Sequence, residues 1–510
     1  MNLSVLITTS GIGSRLGSIT KYVNKSLVRV GDKAIISHII DFYPKDTNFV
    51  ITLGFKGDLV RQYVEFCHPE NNIEFVEVDN YEGPGSSQLY SMLEAKDYLN
   101  KPFIFHVADC IIKNKFWKKL DYNKNALLGS RSGDSTIYAS FDVKDNSEIL
   151  SINNKGQIDP DLMYVGVAYI SDYKSFWDQA VKLHSQKPDD TSLNDVKVYK
   201  KLIINSEFNY LIVDSWYDTG SVNGLTKSRN DFKSSLFNEV LDKDEEDIFL
   251  IKDDIVKFFQ DEKIVKNRVL RNKILNNTVP KILKRIKNFY SYKVFEGSLL
   301  SKVINHKNII SFLNFGHENL WSLKEKSDET FTDLSKKFYY DKTVTRIEKF
   351  FEKYKIIDSK TIINNHEVPT LMSLLNNIPE SFYSDGEKTV VHGDFILENC
   401  IYNNGEFKLI DWRQDFAGDI NHGDSYYDLS KFYHNLTVNH EVVVKDLFSV
   451  NETKNNIEVD IYRKNNLVEC EKIFLDWIKS KGYSINRVNI LRSIIWINMS
   501  PLHHYPFDKF

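Results

Sequence analysis

Leu3-Ser4-Val5-Leu6-Ile7-Thr8-Thr9-Ser10-Gly11-Ile12-Gly13-Ser14-Arg15-Leu16, followed by Lys25, is the stretch on which the reading of this chain turns. Leu3 to Thr8 is a short apolar strand; it stops at a glycine-containing loop, so it reads as a buried strand and not as a signal peptide. Gly11 and Gly13 let the backbone come close to a polyphosphate and present several N–H groups in one concave loop. Ser14 belongs to the same loop. Arg15 offers a planar cationic fork to phosphate oxygens, and Lys25, just before Ser26-Leu27-Val28, a mobile point charge. A GxG pair alone is often a structural turn; strand, GxGxR-Leu and the later lysine together point to phosphate handling.

Strand and helix patterns alternate outward from this loop. Ile35, Ile36, Ile39 and Ile40 recur at helical spacing, Asn48 to Leu53 reads as a strand and Lys56 to Cys67 as a helix. Ile73 to Val78 is strand-like, Ser86 to Tyr98 helical and Phe103 to Val107 an apolar strand. Such alternation predicts a largely parallel α/β sheet, with ligands beyond the carboxyl ends of its strands. The Gly11 loop and Asp109 both fall at that edge, and the domain closes near Trp216-Tyr217-Asp218-Thr219-Gly220.

At 510 residues the chain is too long for one ordinary core, so two or three domains are expected. With 42% apolar and 27% charged residues it reads as globular, and a net charge of −4 gives no case for nucleic acid. Pro280 to Lys287 has the spacing of an amphipathic helix with a solvated basic face. Four scattered cysteines form no CxxC pair, which argues against a disulfide framework or structural zinc. No apolar stretch is long enough to span a bilayer. A cytoplasmic protein without membrane insertion is expected. The charge run Asp242 to Asp247 reads as a linker, giving domains at 1–235 and 248–510 with the linker at 236–247.

The first domain resembles the nucleotidyltransferase family that makes nucleotide sugars and CDP-alcohols, over roughly residues 1 to 230. The resemblance implies a Rossmann-like, GT-A-like fold. It makes Gly83-Pro84-Gly85-Ser86-Ser87 a second nucleotide-contacting turn, with Gly85 and Ser86 as binding residues. It makes Asp109 and Asp218 ligands of one Mg²⁺, which neutralises the α-phosphate while pyrophosphate leaves. Taken singly, each aspartate is commonly a turn or cap residue. Asn24-Lys25-Ser26 stands where sugar-type enzymes carry a proline before the lysine, and Asn154-Lys155-Gly156 where they carry Glu-Lys-Pro. Both departures lean towards the phosphocholine cytidylyltransferases and therefore towards CTP.

Far downstream, His392-Gly393-Asp394-Phe395-Ile396-Leu397-Glu398-Asn399 precedes Leu409-Ile410-Asp411-Trp412. Phosphoryl transfer needs a base to orient the acceptor hydroxyl and oxygen ligands to hold the nucleotide's metal. Asp394 supplies a carboxylate, Asn399 an amide and Asp411 a second carboxylate. Before them, Ile248 to Ile251 and Ile255 to Phe259 look like hairpin strands, Lys263 to Leu275 like a helix, and the region beyond residue 330 is mostly helical. This part resembles the aminoglycoside phosphotransferase and choline kinase family over about residues 245 to 510, a two-lobed, protein-kinase-like α+β fold. The resemblance implies Asp394 as base, Asn399 and Asp411 as Mg²⁺ ligands, Lys257 as the ATP-phosphate lysine and Glu296 in the adenine hinge. His392 shapes the loop and Asp428 braces it. There is no glycine-rich loop before Lys257, and Asn267 and Arg268 stand where a glutamate partner belongs.

The joint expectation is a bifunctional enzyme using ATP, an NTP and Mg²⁺ in both domains to phosphorylate a small hydroxyl compound and cap it with a nucleotide. An anomeric sugar kinase fused to a sugar-1-phosphate nucleotidyltransferase, and one active domain beside a degenerate nucleotide-binding module, stay open. An aromatic cage for a quaternary ammonium group would draw on Trp321, Tyr339, Tyr340, Trp412, Tyr426 and Tyr427; core packing is the other use of such residues. His503 and His504 are packing or acceptor-site residues.

Overall fold

Short apolar runs set between helices need cover on two faces, and the strands they form have it. The computed structural model describes residues 3–144, 147–234, 236, 245–453, 456–503, 505, 507 and 508. The chain divides into two compact units. One takes in Met1–Asn238, Asp242–Gln260 and Ile286–Phe289, and the other is built on Asp261–Arg285 and Tyr290–Phe510. Most of the linker expected at 236–247 (237–244) lies outside the described residues, as does His504.

In the first unit a nine-stranded sheet of described residues runs Ile149–Asn153, Ser140–Val143, Leu162–Ile170, Phe103–Val107, Ser4–Thr8, Asn48–Leu53, Asn72–Glu77. Asn125–Ser130 joins beside Leu162–Ile170 and is paired in turn by Phe208–Ile212. Ser4–Thr8 is parallel to both of its neighbours, and Leu162–Ile170 is antiparallel to Phe103–Val107. Val5, Ile7, Phe49, Ile51 and Ile104 enter one core cluster, while Leu6, Val50, Phe103 and Phe105 enter another. Successive side chains point to opposite faces, so a strand covered on both sides must be apolar at every position. The expected helices are found at Ile35–Phe42, Gly57–Cys67 and Gln88–Glu94, the last capped by Ser87 Oγ, which accepts from Tyr90 N at 3.0 Å.

The hairpin Glu246–Ile251 and Asp254–Phe259 belongs to this unit. Phe249, Ile251, Val256 and Phe258 share the core cluster of Val5 and Ile7. Phe249 meets the Tyr63 ring edge-on at 5.0 Å, and Arg29 Nε donates to Asp247 Oδ1 at 2.8 Å. Four apolar side chains anchored in that core tie residues 246–259 to the first unit.

The second unit is mainly helical, with Glu262–Leu275, Asn308–Gly316, Lys342–Tyr354, Ser425–Thr437, Asn465–Ser480 and Ile485–Met499 as long elements. Residues expected as an amphipathic helix after Pro280 form the strand Ile282–Arg285 instead. It pairs Ile282 with Tyr292 and Arg285 with Tyr290 across an antiparallel ladder. Its basic side chains stay solvated, so an edge strand satisfies the same pattern. A four-stranded sheet, His366–Val368, Thr361–Ile363, Ile457–Ile461, Phe448–Glu452, interrupts the expected helical run. No helix of the described residues is long and apolar enough to cross a membrane.

Candidate active sites

In the first unit the loop after Ser4–Thr8 and the turn after Phe103–Val107 meet at one cleft of about 470 Å³. Lys25 Nζ lies 3.1 Å and Arg15 Nη2 3.6 Å from Asp109 Oδ2. Burial alone would raise the Asp109 carboxyl, but the two cations and the Lys25 hydrogen bond outweigh it and hold it below the ordinary range. Asp218 stands on Trp216–Asp218, which pairs antiparallel with Cys110–Ile112 so that Asp218 faces Cys110. Asp218 accepts from Tyr138 Oη at 2.7 Å and from Gly220 N at 2.8 Å. Thr219 N and Oγ1 both donate to the Asp109 carbonyl, at 2.8 and 2.9 Å, binding the two acidic turns together. A Cβ on Gly220 would fall 2.7 Å from Asp109 Oδ2 and 2.8 Å from Arg15 Nη2, so a side chain there would displace those two charged groups.

Gly11, Arg15, Lys25, Ser86, Asp109 and Asp218 thus line one cleft. Gly13, Ser14 and Gly85 are not among the lining residues; Gly13 turns the loop at φ 73°, where a Cβ would meet Lys25 Cβ at 3.0 Å. The two carboxylates are hard oxygen donors of the kind Mg²⁺ takes when substrate phosphates and water complete its shell. Among the described residues no cluster of three or more His, Cys, Asp or Glu side chains could hold a metal by itself.

Several residues that position or line this site were given no such role in the sequence reading. Asn24 Nδ2 donates to Thr9 O at 2.9 Å and Phe55 O at 2.6 Å, and its Oδ1 accepts from Ser26 N, fixing the loop that carries Lys25. His106 is buried between the Tyr43 hydroxyl and the Cys110 carbonyl, which pins the turn holding Asp109. Its pKa is pushed down to about 4 by burial. Lys155 and Asp195 also line the cleft. The polar His106 within Phe103-Ile-Phe-His-Val was the one visible signal.

In the second unit the loop from His392 hangs on one buried carboxylate. His392 N and Gly393 N each donate to Asp428 at 2.7 Å, and Trp321 Nε1 donates to it at 3.1 Å. Burial, partly offset by these donors, raises the Asp428 pKa to about 6. The His392 pKa falls to about 4 by burial, and its Nδ1 accepts from Asp394 N at 3.3 Å, a scaffold role. Asn399 Nδ2 donates to Asp394 O and Oδ2, both at 3.0 Å. Lys431 Nζ lies 2.7 Å from Asp394 Oδ1, and Arg268 Nη1 2.5 Å from Asp411 Oδ1.

Asp394, Asn399 and Asp411 therefore offer carboxylate and amide oxygens suited to Mg²⁺, with Arg268 already on one of them. Lys257 is buried on Asp254–Phe259 in the first unit, and Glu296 is exposed in the second. The aromatic-cage candidates divide. Trp321, Tyr339 and Trp412 are core side chains whose polar atoms donate to Asp428, Asp424 and the Arg268 carbonyl. Tyr427 already faces the Lys342 ammonium at 5.8 Å.

No family model matches the chain. A curated relative, the bifunctional protein GlmU of Methanococcus maripaludis, is 22% identical over 263 residues, 50% of this chain and 60% of that protein. The chain thus spans about 60% of that relative's length. The solved structure of apo UDP-glucose pyrophosphorylase matches 46% of this chain and 98% of its own, with a TM-score of 0.40 and 16% identity. CTP:phosphocholine cytidylyltransferase from Streptococcus pneumoniae matches 46% and 100%, with a TM-score of 0.39 and 19% identity. The N-terminal half of the chain is similar to nucleotidyltransferases, and its sheet is a mixed α/β one with parallel central strands.

Proposed function

We propose that the chain is a bifunctional transferase acting on a small hydroxyl compound. The second unit moves the γ-phosphoryl group of ATP onto the acceptor hydroxyl. Asp394 accepts the hydroxyl proton as the new P–O bond forms, and ADP leaves. The first unit then joins that phosphate to a nucleoside monophosphate, with CTP favoured by the Asn24-Lys25-Ser26 form. An oxygen of the acceptor phosphate attacks the α-phosphorus, the bond to the bridging oxygen breaks, and pyrophosphate departs. Lys25 and Arg15 hold the polyphosphate charge where it shifts during attack. Asp109 and Asp218 in one unit, and Asn399 and Asp411 in the other, would hold Mg²⁺, which would supply charge neutralisation on phosphate oxygens.

The observation that carries this reading is the convergence of Arg15 and Lys25 on Asp109, with Asp218 on the paired strand of the same cleft. The Asp394 loop, braced by Asp428, supports the kinase half. One observation favours a second reading, in which the C-terminal unit holds nucleotide without turnover: Arg268 occupies Asp411 at 2.5 Å. A single incubation tests both. The protein is given ATP, each of the four NTPs and a pool of alcohols and sugars, free or already phosphorylated, and new nucleotide conjugates are read by mass spectrometry. A conjugate requiring both ATP and one NTP is expected. A conjugate formed only from pre-phosphorylated acceptors would leave the nucleotidyltransferase and sink the kinase; no conjugate from either would sink both.

A further inference from the structure

A group of cations gathers beside the loop that carries Asp394. Lys342 and Arg346 stand one turn apart on Lys342–Tyr354, and Lys431 on Ser425–Thr437. Arg413 follows Asp411, and its N–H donates to His392 O at 3.0 Å. Gly393 packs so closely on Arg413 that a Cβ there would meet Arg413 Cβ at 2.6 Å. Lys342 Nζ and Arg413 Cζ share the Phe338 ring, at 3.4 and 4.9 Å from its centre. Phe338 in turn meets Tyr427 edge-on at 4.9 Å.

Lys431 has Asp394 at 2.7 Å. The other three have no such partner: among the described residues, no carboxylate forms an ion pair with Lys342, Arg346 or Arg413. Arg346 donates to the Asn498 carbonyl at 2.7 Å and Arg413 to the Asp415 carbonyl at 3.1 Å. Burial, then repulsion from Arg413, Arg346 and Lys431, holds the Lys342 ammonium well below its ordinary range, with the attraction of the Asp415 carboxylate too weak to offset them. A protein pays for an unpaired, partly desolvated cation cluster unless an anion completes it.

We infer that the acceptor phosphorylated by the second unit carries an anionic group, a carboxylate or a phosphate, held by Lys342, Arg346 and Arg413 beside Asp394. The inference rests on the kinase reading above and adds the acceptor's charge class to it. An anion seated on this cluster places its neighbouring hydroxyl towards Asp394, and the same cations disfavour a quaternary ammonium there. An amino-alcohol such as choline is therefore the wrong class, whatever the aromatic content of the unit.

The test uses the full-length chain saturated with Mg²⁺ and the non-hydrolysable analogue AMP-PNP, so that the terminal-phosphate position is filled. It is titrated calorimetrically with glycerate, glycerol 2-phosphate, glycerol and choline. Saturable binding of an anion and not of glycerol or choline is expected, glycerate marking a carboxylate site and glycerol 2-phosphate a phosphate site. Lys342→Met and Arg346→Met, each checked for folding by thermal unfolding, should weaken that anion by about tenfold or more, the worth of one charged hydrogen bond. Binding of choline or glycerol as tight as that of the anions overturns the inference, as does the absence of saturable anion binding or anion binding indifferent to both substitutions. Loss of AMP-PNP affinity in the variants assigns the cluster to the nucleotide's own phosphate and also overturns it. Failure of the unsubstituted chain to bind AMP-PNP removes the kinase reading itself, and this inference with it.

Discussion

Both units set acidic side chains against basic ones, but they place the positive charge differently. In the first, Lys25 and Arg15 share the single carboxylate of Asp109, and Asp218 is held by a tyrosine and a backbone N–H. In the second, Lys431 lies on Asp394 and Arg268 on Asp411, while Lys342, Arg346 and Arg413 gather beside them without a carboxylate ion pair among the described residues. The same residue types therefore prepare for different ligands. Two cations on one carboxylate leave positive charge directed at an incoming polyphosphate. The ion pairs on Asp394 and Asp411 must be shared or opened before a nucleotide and its metal can sit, and the neighbouring cations are left for the other substrate.

The strongest way to break that comparison is to silence each site alone. Asp394→Ala should lower acceptor-dependent ADP release by about 10³-fold, within the range for loss of a general base, while nucleotidyl transfer to supplied phospho-acceptor is unchanged. Lys25→Ala or Arg15→Ala should do the reverse, lowering nucleotidyl transfer by about 10²- to 10³-fold, since these charges act on the transition state. Coupled ADP and pyrophosphate assays read both. If one substitution abolished both activities in a folded protein, the two sites would not be independent.

A smaller perturbation sharpens the first half of the comparison. At Gly220 an added Cβ would press on Asp109 Oδ2 at 2.7 Å and Arg15 Nη2 at 2.8 Å without touching the sheet. Gly220→Ala should cost nucleotidyl transfer about tenfold by displacing charged groups that must stay within a few tenths of an ångström. ADP release and the thermal midpoint should hardly change. An unaltered rate of pyrophosphate release would mean that the Arg15–Asp109 geometry is not what the reaction uses.

The sheet and its loop were legible because their signals are local. Apolar runs of strand length and a glycine loop need no distant partner to be read, and Asn48–Leu53 and Phe103–Val107 lie where the sequence placed them. What the eye misses is held by long-range contacts. Asn24 looks like a substitution for proline until its amide is seen on Thr9 and Phe55. Residues 281–287 carry helical spacing, yet Ile282–Arg285 finds Tyr290 to Tyr292 across a turn and pairs as a strand. Asn364 and Asn365, at φ 47° and 65°, make a two-residue hairpin turn between Ile363 and His366; that signal was present and unused. The cation cluster could not be foreseen, since Lys342, Arg413 and Lys431 are brought together only by tertiary packing.

The finest contrast lies inside the first cleft, between Asp109 and the buried Asp195. Asp109 is held below the ordinary range by cations, whereas Asp195 is pushed up to about 6 by burial, against the Tyr164 hydroxyl it accepts at 2.7 Å. Linkage gives them opposite signs. The stability from Asp109 is present above the unfolded pKa and is lost as pH falls through its lowered folded value. For Asp195 the folded state holds its proton more tightly than the unfolded chain, so its contribution is full below the unfolded value of 3.8 and is lost as pH rises through about 6. Asp195→Asn keeps an acceptor for Tyr164 and removes the ionisation. Relative to the unsubstituted protein it should gain about 2 kcal/mol between pH 4.5 and pH 7, read from urea unfolding of the first unit at both values. Parallel stability curves for the two proteins would mean that Asp195 stays ionised across the range. Water or a basic side chain would then reach it, and Asp195 would add a permanent charge to the cleft beside Asp109.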